Sequence, residues 1–197
     1  MARKVLICVL FAVFAIITFP SEVMAEAVSK VAVKELIVKH SMELGLDPAL
    51  ALSIAQKESN FKHNSRSKYG AIGVFQLMPS TARRLGFNPY QLNDNIKGGI
   101  TYYKQMYKMF GSIELALAAY NAGPGNVRKY KGIPPFAETK RFVSVIMSNY
   151  NAMKTNPDPV IAQYQDSLKD INFLEGEVDF RLEHEAVLKS YLSNQGI

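Results

Sequence analysis

The sequence predicts a mostly α-helical protein. Three observations carry this. Apolar residues recur at three- and four-residue steps along most of the chain. Glycine or proline signals break those stripes at intervals of helix length. No stretch sustains the alternation of a half-buried strand, and no internal repeat is present.

The elements follow in order. Val33, Leu36, Ile37, His40 and Leu44 share one face of a helix over 29–44, and Gly45 stops it. Asp47 then Pro48 pairs a capping oxygen with the residue favoured at the first helical position, which starts a helix running to about Ser59. Residues 60–78 contain Gly70 and Gly73 and read as a loop. Pro79-Ser80-Thr81 opens a short helix ending near Gly86. Asn93 or Asp94 is expected to cap the next helix. Its stripe is Ile96, Ile100, Tyr103, Tyr107 and Phe110, and Gly111 ends it. Ser112 starts an Ala-rich helix that stops at Gly123-Pro124. A final helix is expected over 138–153, after Pro134-Pro135.

At 197 residues the chain holds one main domain, and 48% hydrophobic content is enough for a packed core. One cysteine and three histidines exclude a disulfide scaffold and a zinc finger. No metal or other cofactor is expected. Residues 1–25 place Arg3 and Lys4 before an apolar run from Val5 to Phe19. Pro20 and then Val23-Met24-Ala25 follow, the layout of a secretory signal peptide. The competing reading is an uncleaved anchor, although the run is shorter than a bilayer span requires. Cleavage after Ala25 would remove Cys8, so the exported chain would rely on its core alone.

Charge divides the rest. Residues 26–155 carry 18 Lys and Arg against 8 Asp and Glu, a net +10, whereas 156–197 carry 3 against 8, a net −5. The switch falls at Asn156-Pro157-Asp158-Pro159. This separates a basic domain, 26–155, from an acidic tail, 156–197. A basic exported domain suits an anionic wall polymer or a lipid surface, and charge does not choose between them. No nucleic-acid motif is present. The tail places Ile161, Tyr164, Leu168, Ile171, Leu174 and Val178 at helical spacing. Such a stripe folds back on the domain or offers a helix to a partner.

Three elements carry chemistry-bearing residues. Glu58 extends the apolar stripe of its helix, where partial desolvation would raise its pKa and suit it to general-acid work. The loop from Ser67 to Pro79 combines glycines with Gln76, which both donates and accepts hydrogen bonds, and with Phe75 and Met78 as apolar contacts. Ala118 to Gly125 ends a helix sharply, leaving Tyr120 and Asn121 to project with polar groups free. Each element also has a plain structural reading: a solvated helix end, a hydrophobic turn and a helix stop.

Together, Glu58-Ser59, Gly73-Val74-Phe75-Gln76-Leu77-Met78-Pro79 and Ala119-Tyr120-Asn121-Ala122-Gly123-Pro124 resemble, in order and spacing, the signature segments of the soluble-type lytic transglycosylase domain. The resemblance covers roughly residues 30–153. It implies a lysozyme-like helical lobe with a cleft for peptidoglycan glycan strands. It also implies cleavage of the β-1,4 bond between N-acetylmuramic acid and N-acetylglucosamine without water. Glu58 would be general acid and then base, giving a 1,6-anhydro end. Ser67, Gln76, Tyr120 and Asn121 would bind or orient sugar, Met78 would line the cleft, and Tyr150 matches a family tyrosine. Glu138 reads as structural support. The family usually has Leu-Met where this chain has Val74-Phe75, which implies a reshaped cleft wall near the scissile bond.

The inventory of acids points the same way. Glycosidases usually flank the bond with two carboxyls, but the next acid after Glu58 is Asp94, 36 residues on. His63 reads as an exposed loop residue and His40 as a residue packed on its helix face. The expected protein is an exported, monomeric enzyme of the periplasm or cell envelope. The alternatives are a hydrolase similar to goose-type lysozymes, or a wall-binding subunit of an envelope-spanning secretion or motility assembly, docked through the tail.

Overall fold

The computed structural model describes residues 21–170, and these are helical apart from their connecting loops. The helices are α1 (Ser21–Glu43), α2 (Pro48–Ser59), α3 (Pro79–Leu85), α4 (Leu92–Phe110), α5 (Ile113–Ala122), α6 (Pro124–Tyr130) and α7 (Ala137–Thr155). A further helix, α8, spans 159–170. No strand forms among the described residues; the α2–α3 loop is pinned by isolated bridges of Ile72 to Arg66 and to Leu77. Most of the expected signal segment, residues 1–20, and the tail beyond 170 lie outside the described residues.

Local chemistry sets most boundaries as expected. The Asp47 carboxylate accepts from the Ala49 amide at 2.9 Å and Pro48 opens α2. Gly86 and Gly111 end α3 and α4 in the left-handed conformation that glycine adopts without penalty. Ser112 caps α5.

Three expectations differ. The Asn93 or Asp94 cap is not used, because α4 already begins at Leu92. Asn93 instead pairs with His40 Nε2 at 2.9 Å, and Asp94 accepts from the Asn88 amide. Gly123-Pro124 ends one helix and begins another, since proline is well suited to the first position of α6. Tyr107 leaves the core stripe and is 46% exposed; Met106 is buried in its place.

The core forms where α5 packs against α4, α6 and α7, while α2 is held between α1 and α7. Ile37, Leu52, Ile54, Ile96, Ile100, Leu117 and Ile146 are fully enclosed. The start of the acidic tail folds back: Val160 is buried, Ile161 and Tyr164 pack on the core, and Asp158 pairs with Lys34 of α1 at 2.7 Å.

Candidate active site

A cleft of about 620 Å³ opens where the C-terminal end of α2, the α2–α3 loop, the end of α5 and the start of α7 converge. Glu58, Ser67, Gln76, Met78, Tyr120 and Asn121 all line it. Residues spread over 63 positions of sequence thus meet around one carboxyl group.

Glu58 sits in the last turn of α2, and its carboxyl has no hydrogen-bond partner among the described residues. Burial pushes its pKa up to about 8; Lys57 opposes the shift and the charge of Glu138 adds to it. Glu58 therefore holds its proton at neutrality, the state a general acid requires. The turn is fixed from behind by Ser59, whose hydroxyl donates to the Val74 carbonyl at 2.9 Å.

The α2–α3 loop is clamped by Asn95 of α4, which is fully buried. Asn95 donates to the carbonyls of Ile72 (2.8 Å) and Pro89 (3.1 Å), and accepts from the Phe75 amide (2.9 Å). Gly73 lies against this amide at φ 78°, where a Cβ would come within 2.4 Å of Asn95 Nδ2. At Gly99 of α4 the Phe75 ring occupies the space a side chain would need. Asn95 passed unnoticed in the sequence because a lone asparagine in a helix pattern carries no motif.

Gln76 is held at φ 44°, a left-handed conformation unusual outside glycine. Its amide nitrogen donates to the carbonyls of Gly73 (2.8 Å) and Ser65 (3.3 Å). Both hydrogens are thus committed, which leaves the amide oxygen for the cleft. The Ser67 hydroxyl oxygen accepts from the amides of Ala71 (3.0 Å) and Tyr69 (3.2 Å), leaving its proton to donate. Met78, 41% exposed, contributes apolar wall.

Tyr120 and Asn121 line the cleft; the expected free polar groups are absent at Tyr120 and remain at Asn121 only as its amide nitrogen, which has no partner among the described residues. The Tyr120 hydroxyl donates to the Phe75 carbonyl at 2.7 Å, and Asn121 Oδ1 accepts from Thr139 at 2.8 Å. Burial, with the nearby Glu58 and Tyr102, raises the Tyr120 pKa, so the phenol stays protonated. Its ring is tilted 5.1 Å from Tyr102 and stacked 6.3 Å from Phe142.

Two expected contacts lie elsewhere. Phe75 is fully buried in the core, because its backbone is pinned by Asn95 and Tyr120 so that the ring points at Gly99. Val74 is buried as well, so the Val74-Phe75 departure alters core packing and not the exposed cleft wall. Tyr150 donates to Asp47 at 3.0 Å at the opposite end of α2. Eleven residues of helix, about 16 Å, separate that end from Glu58. The cleft also gathers groups that had no assigned place in it: Tyr102, Thr139 and Glu138. Glu138, read as support, is exposed and presents a second carboxylate beside Glu58. His63 lies outside the cleft and donates to the Tyr90 carbonyl at 3.0 Å.

Known proteins resemble part of this chain in sequence and fold. The chain is 34% identical over 128 residues to a transglycosylase of Enterobacteria phage PRD1, matching 64% of this chain and 46% of that protein. It is 31% identical over 142 residues to the soluble lytic murein transglycosylase of Escherichia coli K12, matching 59% of this chain and 22% of that protein. Its fold is similar to that of an inactive mutant of lytic transglycosylase Slt from Pseudomonas aeruginosa, with TM-score 0.54 and 29% identity over 70% of this chain and 25% of that one. A complex of the 70-kDa soluble lytic transglycosylase with bulgecin A gives TM-score 0.54 at 27% identity, over 64% of this chain and 25% of that one. The chain thus spans less than half the length of these relatives. The family model of the transglycosylase SLT domain matches residues 35–143, from α1 into α7, and encloses every element of the cleft. On that match, the chain belongs to the transglycosylase SLT domain family.

Proposed function

We propose that the protein is a lytic transglycosylase that cuts peptidoglycan glycan strands at the β-1,4 bond between N-acetylmuramic acid and N-acetylglucosamine, with Glu58 as its catalytic residue. The observation that carries this reading is a carboxyl held protonated by burial, in a cleft lined with hydroxyl and amide groups suited to sugars.

In this reading Glu58 gives its proton to the glycosidic oxygen as the bond to the muramic C1 breaks. The substrate's acetamido oxygen shares the positive charge at C1. The resulting carboxylate then takes the proton of the muramic C6 hydroxyl, whose oxygen closes on C1. Water is not consumed, and Glu58 ends protonated as it began. Ser67 would donate to a sugar acceptor, and the Gln76 amide oxygen would accept from a sugar hydroxyl or amide. Residues 1–25 direct export in this proposal, which places the enzyme at the cell envelope.

Glu138 favours a second reading. A second carboxylate in the cleft is what a hydrolase needs to activate water. The products separate the two. Purified peptidoglycan is digested with the wild-type chain and with Glu58→Gln, and the released muropeptides are weighed. Anhydro ends, one water lighter than reducing ends, from the wild type alone support the proposal. Reducing ends from the wild type establish hydrolysis. Equal products from Glu58→Gln overturn the role of Glu58.

A further inference from the structure

Cations gather on one segment beside the cleft. From the end of α6, through the connecting loop and into the first turns of α7, the chain carries Arg128, Lys129, Lys131, Lys140 and Arg141. All of them are exposed, and none has a carboxylate partner among the described residues. The one acid within the segment, Glu138, lines the cleft. Cations packed this closely without counter-charges repel one another and attract an anionic surface.

The same segment exposes large apolar side chains. Tyr130, Ile133 and Phe136 are all open to solvent. Tyr130 and Phe136 meet edge to face with ring centroids 5.7 Å apart, which ties the two ends of the loop together. Ile133 lies between them in sequence, and the buried Pro134 anchors the loop beside it. The cations are interleaved with this apolar group. The Lys129 ammonium lies over the Tyr130 ring at 5.4 Å, and Arg128 reaches the sulfur of Met109, itself exposed, at 3.3 Å. A water-soluble polyanion would pair with the cations but leave the rings and Ile133 in water. An anionic bilayer satisfies both, with phosphates for the cations and an interfacial zone in which aromatic and aliphatic side chains bury.

We propose that the α6–α7 segment docks the protein on an anionic phospholipid bilayer. Tyr130, Ile133 and Phe136 enter the boundary between headgroups and acyl chains, and the surrounding lysines and arginines meet lipid phosphates. Phe136 also lines the cleft, so docking sets the cleft mouth beside the bilayer surface. Lys129, Ile133 and Lys140 do not line it, and the proposal does not depend on the activity assigned to the cleft.

The chain has no tryptophan, which allows a single fluorescent reporter in the full chain. Ile133→Trp is placed in the segment, and Tyr90→Trp, at an exposed position of the α3–α4 loop, serves as the control. Each is mixed with vesicles of phosphatidylcholine alone or of phosphatidylcholine and phosphatidylglycerol in equal parts. The expected result is a blue shift for Ile133→Trp, with quenching by brominated acyl chains, on the anionic vesicles only, and no shift for Tyr90→Trp. Adding Lys129→Glu and Lys140→Glu should raise the lipid concentration at half-shift by at least about tenfold. No shift for Ile133→Trp overturns the proposal, as does an equal shift on neutral vesicles or an unchanged half-shift in the charge-reversed variant. A shift at Tyr90→Trp alone places membrane contact elsewhere and also overturns it. Retention on purified cell-wall sacculi that is lost on charge reversal, with no shift on vesicles, overturns it in favour of an anionic wall polymer.

Discussion

The Tyr120 hydroxyl, on α5, donates to the Phe75 main-chain carbonyl at 2.7 Å and so joins two signature segments that lie 45 positions apart. The bond fixes the backbone immediately before Gln76, whose own φ is 44°. Tyr120→Phe leaves the buried Phe75 carbonyl without its donor, a loss of about 1–3 kcal/mol. The expected outcome is a lower Tm together with reduced kcat on peptidoglycan, since the loop carrying Gln76 and Met78 loses its anchor. A melting curve beside a turnover assay checks both.

Glu58→Gln should reduce turnover by about 10²–10⁴, the usual worth of a positioned proton donor. Its effect on stability runs the other way. Because the folded pKa, about 8, lies above the ordinary glutamate value of 4.5, wild-type Glu58 costs nothing below that value and progressively destabilises the fold as pH rises towards 8. Glutamine carries no charge to bury. The variant's Tm relative to wild type should therefore rise between about pH 5 and pH 9. A pH-independent difference would disprove the desolvated carboxyl.

Glu138→Gln removes a negative charge that helps keep the Glu58 proton in place, while Lys57 and the Tyr120 phenol remain. The pKa of Glu58 should fall, and the alkaline limb of the activity profile should move to lower pH with modest change in the plateau. A collapse of the plateau, with loss of reducing-end products, would instead mark Glu138 as a base acting on water.

Asn95→Ala strips the partners from the Pro89 carbonyl and the Phe75 amide, and leaves the Ile72 carbonyl with the Leu77 amide alone. The summed cost is expected to be about 2–6 kcal/mol. Denaturant unfolding measures it. A loss below about 1 kcal/mol would mean that the α2–α3 loop does not depend on this clamp.

Gly99→Ala puts a Cβ 2.3 Å from Phe75 Cγ. Overpacking of this kind costs about 1–3 kcal/mol, outweighing the gain of about 1 kcal/mol that alanine brings to a helix interior. A net stabilisation in a thermal melt would place the Phe75 ring elsewhere.

The helical class, most helix ends and the residue at the centre of the cleft are legible in the amino-acid order. Those properties are written locally: Asp47-Pro48, Ser112, Gly86 and Gly111 act on backbone groups within a few residues, and Glu58 is singled out by the short motif segments that resemble a known family, periodicity alone leaving a solvated helix end equally open. Where a side chain points in the assembled molecule was decided only by tertiary structure. Phe75 sits in a cleft motif yet turns into the core, because Asn95, Tyr120 and Gly99 together define the space around it. Tyr150 follows α7 to the far end of α2, and Glu138 enters the cleft on the first turn of that same helix. Glu58 and Glu138 are 80 positions apart, so no local spacing encodes their electrostatic coupling; it arises when α5 and α2 both pack against α7. Short-range hydrogen bonding and periodicity set the elements, whereas the desolvation and charge that define the site are properties of packed helices.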